Sequence, residues 1–400
     1  MKYQERWIAL AYIYFFMLVF ALTFQSIPPL LGFLVQSLGI SHTQAGALMS
    51  LFGLPGILVS IPGGILADVY GPKRVGVTAL LITLIGSLLV GLGKDFSLLV
   101  TGRIISGIGG LTISIVAPQA LSRWFASRDL GKAMGIFNTA MPLGSIFTLN
   151  VFSVLAGIYT WQVPLFLTSF FCLGVLVLFY FRYPKLPDEI RRQEQPEFEE
   201  KVFTLRKTGP QVWLVAAIWM MYNASTISYL TFGADYYQSV GYDVSYAGFL
   251  TSLLMVGSLL FSPLVGTLID RVGREEYFII VGSIAIALLL YVVPRTLFNP
   301  LIIGGLIGFF AASIPSPVFA LVPKYISLSK VGLGYGILST CLNIGILLGP
   351  LLVGFSYDQT QNYLVGFDLM AIFAFLTALI AFILRLIAKR IKTQQPFLDG

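Results

Sequence analysis

The feature that most limits the fold of this chain is a series of apolar runs, each long enough to cross a lipid bilayer. A helix needs about 20 mostly apolar residues to span the hydrocarbon core, and such runs recur along all 400 residues. Strands of a transmembrane barrel would be short and alternating instead. We therefore predict an all-α integral membrane protein with twelve spans, at roughly 7–34, 44–66, 75–93, 97–120, 131–157, 161–181, 211–237, 245–267, 277–293, 299–322, 332–356 and 363–386.

The composition supports a membrane protein and excludes several other classes. Apolar residues make up 57% of the chain and charged residues 11%, which is too little charge to cover a soluble domain. The two cysteines, Cys172 and Cys341, each lie inside an apolar run, so we predict neither a disulfide framework nor a metal site, and no cofactor. The first run is too long for the core of a signal peptide and should remain as the first span.

The lysines and arginines predict the orientation of the spans. If the N-terminus is cytoplasmic, 22 of the 25 basic residues fall in cytoplasmic segments; Lys94 and Arg295 fall in outer loops and Arg103 inside a span. Cytoplasmic loops are the basic ones in membrane proteins, so the formal net charge of +7 reflects topology and not nucleic-acid binding. Both termini are expected on the cytoplasmic side of the inner cell membrane.

The chain divides into two halves that are related in sequence. A shift of 202 residues aligns Thr43–Gly71 with Ser245–Gly273, and 11 of the 29 positions are identical. The longest loop separates the halves and is charged and proline-bearing, which is typical of a linker. We predict an N-terminal six-helix bundle (1–182), a cytoplasmic linker (183–210), a C-terminal six-helix bundle (211–392) and a short tail (393–400). Duplicated halves favour alternating access around a site at their interface.

Two loops carry the residues of a known family signature. The sequence Gly64-Ile-Leu-Ala-Asp68-Val-Tyr-Gly71-Pro-Lys73-Arg74 resembles the loop between the second and third helices of the major facilitator superfamily. Its echo in the second half is Gly266-Thr-Leu-Ile-Asp270-Arg271-Val-Gly273-Arg274. The resemblance implies the major facilitator fold, with two pseudo-symmetric bundles, and assigns these loops to a cytoplasmic gate. A glycine permits the sharp chain reversal that such a loop needs.

The fourth span contains an arginine, which is costly inside a membrane. Leu99-x-x-x-Arg103-x-x-Ser106-Gly107-x-Gly109-Gly110 is similar to the second motif of the family, where an arginine in this helix is linked to proton coupling. We expect Arg103 to face the bundle interior with a partner. The alternative is an architectural role, in which the guanidinium binds backbone carbonyls of adjacent helices. Small residues every four positions, from Gly102 to Ser114, predict a packing stripe beside it.

Polar residues inside the spans are the candidate site residues. The predicted substrate contacts are Gln25, Arg103, Asn138, Trp219, Tyr222, Asn223 and Asn343. For each amide the alternative is a structural hydrogen bond between helices, and for Trp219 it is plain packing. The predicted coupling residues are Arg103, Asp235 and Asp368, the last two because carboxylates near apolar surroundings suit proton transfer; capping or interfacial roles are the alternative. His42, the only histidine, is assigned no chemical role.

These features predict a secondary transporter of a small organic solute that functions as a monomer, with the proton as a candidate coupling ion. The segment Leu38–Gly46 resembles cyanate- and nitrate-permease relatives, which favours a small organic anion and a symporter. The alternatives are an organic-cation or drug efflux carrier, with Asp235 or Asp368 as counter-ion and an aromatic wall that includes Tyr229, and a non-transporting sensor on the same fold. The spans contain no nucleophile–base–acid set, so we do not predict an enzyme.

Overall fold

The computed structural model describes residues 3–125, 130–184, 209–296, 298–325 and 331–394, and the described chain is almost entirely helical. Its helical segments form twelve rods, which confirms the predicted number of spans. These are α1 (Tyr3–Phe24, Pro28–Leu30 and Leu31–Leu38), α2 (His42–Tyr70), α3 (Pro72–Gly91), α4 (Phe96–Trp124), α5 (Leu130–Phe137, Ala140–Phe147, Thr148–Phe152 and Ser153–Ile158), α6 (Gln162–Arg182), α7 (Pro210–Ser239), α8 (Val244–Val272), α9 (Glu275–Val292, continued by Val293–Arg295), α10 (Pro300–Ala311 and Pro315–Tyr325), α11 (Val331–Thr360) and α12 (Tyr363–Gln394).

Ten of these rods are long and apolar enough, over their described residues, to cross a membrane. The other two are α2 and α7. In α2 the structure does not describe several side chains, and α7 has 30 residues but a polar interior face. Five polar residues of α7 are buried: Asn223, Ser225, Thr226, Ser228 and Thr231. Their side chains turn away from lipid, because unsatisfied polar groups are costly there. Large apolar side chains such as Phe170 and Phe181 are exposed instead, as expected at a lipid-facing surface.

The helix ends repeat between the two halves. Gly39 and Gly71 have positive φ angles of 62° and 83°, and Gly241 and Gly273, each 202 residues later, have φ angles of 97° and 64°. A residue with a side chain rarely adopts this conformation, so glycine is required at all four turns. The helices between these turns, α2 and α8, begin and end at positions related by the same shift.

The close helix contacts also repeat. A Cβ on Gly107 of α4 would collide with the carbonyl oxygen of Phe52 in α2, and a Cβ on Gly308 of α10 would collide with that of Leu253 in α8. Both members of the second pair lie 201 residues after the first. Likewise, Gly144 of α5 meets α1, and its repeat-mate Gly345 of α11 meets α7. Small residues let helix backbones approach closely within a membrane, and here the same contact is built twice.

Contacts divide the chain into two compact units, Met1–Phe203 with Thr231–Ser252, and Thr204–Leu230 with Leu253–Gly400. The first unit therefore contains the adjoining ends of α7 and α8 in addition to α1–α6. The residue boundaries of the two bundles expected from the sequence, 1–182 and 211–392, stay a prediction. The predicted linker, 183–210, and the predicted tail, 393–400, lie almost wholly outside the described residues.

Candidate functional site

The first helix is interrupted in the middle of a membrane span. Its first segment ends at Phe24, and a second begins at Leu31 after a 3-10 turn that contains Pro28 and Pro29. Proline has no backbone N–H, and the last four carbonyls of any helix lack intrahelical donors. Because the residues at this break are buried, water from the bulk does not reach the orphan carbonyls. Other protein groups must satisfy them.

Arg103 caps the end of this broken helix. Its Nη1 donates to the carbonyl oxygen of Thr23 at 2.8 Å, and its Nη2 donates to that of Phe24 at 3.3 Å. Its Nε donates to the carbonyl oxygen of Leu48 in α2 at 2.8 Å, and its Cζ lies 4.5 Å from the ring centroid of Phe52. A positive charge at a helix C-terminus is favourable. The guanidinium therefore holds two helices through backbone carbonyls, and its predicted role in coupling stays a prediction.

Small residues on two faces of α4 bring Arg103 to this position. Gly107, one turn after Arg103, lies against the Phe52 carbonyl of α2, which draws α4 and α2 together. Gly102 and Ser106, on the neighbouring face, pack against Gly86 of α3. Gly110, a later member of the expected stripe, lies against the Phe52 ring of α2 instead. The stripe is thus divided between two helix contacts, because residues four apart drift around an α-helix of 3.6 residues per turn.

Gln25, the residue after the Arg103-capped carbonyls, is fully buried and its amide has no partner. Neither Oε1 nor Nε2 has a hydrogen-bond partner among the described residues, and the side chain is 0% exposed. Leaving a buried polar group unsatisfied costs about 1–3 kcal/mol. The amide offers two donors and one acceptor oxygen, which suits it to bind a polar solute or an ordered water at the break in α1.

A distorted segment of α5 belongs to the same unit. Residues Thr148–Phe152 form a π-helical turn, a feature that is frequent at functional sites. Within it, Asn150 Nδ2 donates to the carbonyl of Ile146 at 2.7 Å and to Ser252 Oγ at 3.1 Å. The predicted substrate residue Asn138 is exposed and lies at a second interruption of α5.

The predicted residues of α7 form an aromatic cluster in the second unit. The rings of Trp219 and Tyr222 stack with centroids 5.4 Å apart, and Phe319 meets Trp219 edge-on at 5.3 Å. Tyr222 donates its hydroxyl to the carbonyl of Ala311 at 3.2 Å, where the first segment of α10 ends. Asn223 donates to the Trp219 carbonyl of its own helix at 2.8 Å.

Asn343 of α11 is the other predicted amide of the second unit. It is 1% exposed, and its Nδ2 donates to the carbonyl of Ser339 at 2.9 Å. Its Oδ1 has no hydrogen-bond partner among the described residues. The side chain therefore has a buried acceptor available, as Gln25 has in the first unit.

The second repeat lacks both the break and its cap. Pro28 and Pro29 correspond to Leu230 and Thr231, and α7 runs without interruption from Pro210 to Ser239. Arg103 corresponds to Gly304 in α10, at the same shift of 201 residues that relates Gly107 to Gly308. The interrupted helix and the arginine occur together in one repeat, and both are replaced in the other.

The two predicted carboxylates each contact a basic side chain. Asp235 Oδ2 lies 3.2 Å from Nε2 of His42, and Asp368 Oδ2 lies 2.7 Å from Nη2 of Arg295. His42, to which the sequence analysis assigns no chemical role, lies against Asp235 because the start of α2 lies beside α7 in the first unit. In the part of the chain that the structure describes, no three His, Cys, Asp or Glu side chains come together to bind a metal.

The structure describes only some residues of the two loops that were predicted to form the cytoplasmic gate. The side chains of Gly64, Asp68, Gly266 and Asp270 lie outside the described residues. Lys73 donates to the carbonyl oxygen of Tyr183 at 3.3 Å, which ties the start of α3 to the end of α6. Arg74, Arg271 and Arg274 of the two loops are exposed.

Comparison with known proteins gives consistent matches along the chain. The family model of the Major Facilitator Superfamily matches residues 13–237 and 214–399. The chain is 25% identical to a probable sulfoacetate transporter, SauU, of Cupriavidus necator, over 82% of each chain. It is 23% identical to the lysosomal dipeptide transporter MFSD1 of Danio rerio, over 82% of this chain and 76% of that one. The crystal structure of the nucleoside transporter NupG has a similar fold, with a TM-score of 0.75, 17% identity and coverage of 95% of this chain and 99% of that one.

Proposed function

This chain belongs to the Major Facilitator Superfamily and is a secondary transporter, and we propose that its solute is a small organic anion moved by alternating access. The observation that carries the proposal is the buried charge of Arg103, which no described carboxylate neutralises. Carbonyl dipoles compensate that charge only in part. An anionic group near the α1 break would be stabilised by the remaining positive field, which is stronger in a medium of low dielectric constant.

The groups around Arg103 support an anion with further polar atoms. Gln25 follows the capped carbonyls and has free donors and a free acceptor. The second N–H of Arg103 Nη1 has no acceptor among the described residues, so one charge-assisted hydrogen bond to a solute is available after a small movement. We propose that Gln25 and Arg103 contact the solute; the roles of the other predicted residues, Asn138 and Asn343 among them, stay predictions.

The names of two relatives agree with an anionic or acid-bearing solute. Sulfoacetate, named for the Cupriavidus necator relative, carries two acidic groups, and a dipeptide, named for the Danio rerio relative, carries a carboxylate. These names support the proposed class of solute. They also supply two probes of different charge and size.

We further propose that Asp235 and Asp368 couple transport to protons, with Arg103 as a third coupling residue. Each carboxylate accepts from or contacts a basic side chain at short distance, so a proton gained or lost there would change a contact between two helical segments. The proposed orientation has both termini in the cytoplasm and the protein in the inner cell membrane, as the distribution of basic residues supports. A lysosomal relative shows that the superfamily is not confined to that membrane.

An organic-cation or drug carrier is the second candidate. The stacked rings of Trp219 and Tyr222, with Phe319 edge-on, form the kind of aromatic surface that binds a cation. A cation would also need a carboxylate as counter-ion. Because Asp235 and Asp368 are already paired with His42 and Arg295, the structure offers less support for this candidate than for an anion.

The proposal can be tested by transport in proteoliposomes. Purified protein is reconstituted, and uptake of radiolabelled sulfoacetate, a dipeptide, a nucleoside and tetraethylammonium is measured with and without an imposed pH gradient. We expect saturable uptake of at least one anionic probe, faster with the gradient, and no uptake of tetraethylammonium. Saturable transport of the cation without transport of any anion would contradict the proposal. An unchanged rate with and without the gradient would contradict proton coupling alone.

A further inference from the structure

One face of α9 is an exposed apolar stripe with a tyrosine at each end. Tyr277, Val281, Ile284, Leu288 and Tyr291 follow at intervals of four and three residues, and their exposed fractions are 37%, 58%, 40%, 61% and 50%. Residues at this spacing lie on one side of a helix. The two tyrosines are about 21 Å apart along the axis at 1.5 Å per residue. An exposed apolar face between two tyrosines is typical of a helix that faces lipid, with its rings at the two interfaces.

Each of these tyrosines has arginine over its ring. The Cζ of Arg385 in α12 lies 3.7 Å from the ring centroid of Tyr277, and the Cζ of Arg274, just before α9, lies 5.7 Å from it. At the other end, the Cζ of Arg295 lies 3.9 Å from the centroid of Tyr291. The guanidinium groups therefore lie at the two ends of the apolar stripe, where a lipid-facing helix meets the headgroups.

The two ends differ in how their charge is balanced. Arg295 binds Asp368 at 2.7 Å, so that end is close to neutral. Neither Arg274 nor Arg385 has a carboxylate within ion-pair distance among the described residues. Two positive charges are thus gathered beside Tyr277 without a described counter-charge.

The nearest acidic residues of α9 are engaged elsewhere. Glu275 binds Lys324 at 2.6 Å and Glu276 accepts from the hydroxyl of Tyr325 at 3.1 Å, both toward α10. They therefore direct their charge to a different neighbouring helix from the one that carries Arg385.

We propose that Arg274, Tyr277 and Arg385 bind the phosphodiester headgroup of an anionic phospholipid. Guanidinium groups bind phosphate oxygens in a bidentate manner, and two of them surround one ring here. The apolar stripe from Val281 to Leu288 continues from that ring toward the centre of the span, where an acyl chain would lie. This continuity favours a lipid over a soluble phosphate, which would gain nothing from the stripe.

Native mass spectrometry of the full-length protein in detergent tests the proposal. The purified protein is titrated with phosphatidylglycerol or phosphatidylcholine of the same acyl chains, and the retained lipid is counted. We compare the wild type with the double variant Arg274→Gln/Arg385→Gln. An arginine near an anionic surface contributes about a fivefold change in binding. We therefore expect about a 25-fold loss of phosphatidylglycerol affinity in the double variant and no change for phosphatidylcholine.

The matched control is Lys94→Gln/Arg295→Gln, which removes two positive charges that lie away from Tyr277 and should leave phosphatidylglycerol binding unchanged. A third variant, Tyr277→Leu, keeps both charges but removes the ring, and should weaken binding by a few-fold. An equal loss in the control and test variants would show that only net charge matters and would overturn the site. Competition by millimolar inorganic phosphate, or equal binding of both lipids to the wild type, would also overturn it.

Discussion

At the scale of single residues, the decisive contact is between Arg103 and backbone carbonyls. The sequence predicted that an arginine at this depth needs a partner, and it also allowed an architectural role. It could not identify the acceptors, because a carbonyl oxygen is present at every residue and has no sequence signature. The prolines at Pro28 and Pro29 were the available clue, since they mark where a helix must leave carbonyls unpaired.

Replacing Arg103 separates its structural role from its transport role. Arg103→Ala removes three buried charge-assisted hydrogen bonds to the carbonyls of Thr23, Phe24 and Leu48, so we expect a loss of about 2–4 kcal/mol of stability and complete loss of uptake, while the protein still folds. Arg103→Lys keeps the charge but cannot reach two helices at once, and should lose most uptake with a smaller fall in melting temperature. Fluorescence-detected thermal unfolding and proteoliposome uptake measure the two effects. Wild-type uptake by the alanine variant would disprove a role in transport.

Replacing Gln25 should impair transport without lowering stability, which is the opposite of what replacing a purely structural residue does. Gln25→Leu keeps most of the volume and removes a buried unpaired amide, so the melting temperature should stay the same or rise. Loss of a direct hydrogen bond to the solute should raise the apparent KM about tenfold, which corresponds to about 1.4 kcal/mol. The control is Thr83→Val, which lies in the same unit. Thr83 is also buried, and its hydroxyl donates only to a carbonyl of its own helix. A large fall in melting temperature with unchanged KM would assign Gln25 to structure instead.

His42 shows where reasoning from single residues fails. A lone histidine near the start of a helix has no feature that predicts a partner 193 positions away. Asp235 had been singled out only for its apolar neighbours. The pair exists because α2 begins beside the end of α7 that packs in the first unit, and that contact is a property of the fold.

At the scale of helices, the sequence predicted twelve helices, and Pro28 and Pro29 were a signal for the break in α1. The breaks in α5 and α10 were not predicted. For α10 a signal was present, since Pro315 and Pro317 follow the segment that ends at Ala311. For α5 the π-helical turn at Thr148–Phe152 has no proline. An extra residue in a helical turn depends on the packing around it, and a single sequence does not reveal that packing.

The contact between α4 and α2 gives a prediction at this scale. In Gly107→Ala, the new methyl group meets the carbonyl oxygen of Phe52, so α4 must move away from α2 and the bond from Arg103 to Leu48 should lengthen. We expect about 1–3 kcal/mol of destabilisation and a large loss of uptake. Gly174→Ala, where nothing lies within 4 Å of the added atom, is the matched control and should melt at the wild-type temperature. Equal melting of the two variants would refute the tight contact.

At the scale of the whole molecule, the duplication seen in sequence reappears in the turns and the helix contacts. The pairs Gly39/Gly241 and Gly107/Gly308 were not part of the sequence argument, although their spacing of 202 and 201 residues was available. Their function depends on backbone conformation and on the neighbouring helix, which only the structure provides. Two related halves are what alternating access requires.

A reversible crosslink tests alternating access directly. Asn150 of α5 and Ser252 of α8 belong to different repeats and lie within hydrogen-bond distance in the first unit. In a background with Cys172→Ala and Cys341→Ala, the pair Asn150→Cys/Ser252→Cys should form a disulfide on oxidation and stop uptake, and reduction should restore it. Each single cysteine variant should be unaffected by oxidant. Full uptake by the oxidised double variant would show that α5 and α8 need not separate during transport.

The interrupted first helix and its arginine exist in only one of the two copies. If the ancestral unit had both, the second copy has lost them together, since a continuous α7 leaves no orphan carbonyl for an arginine at position 304 to bind. The duplicated scaffold would then have specialised, with the buried arginine retained in one copy and an aromatic cluster present in the other. A solute whose charged group binds Arg103 would keep that group on the first copy throughout the transport cycle.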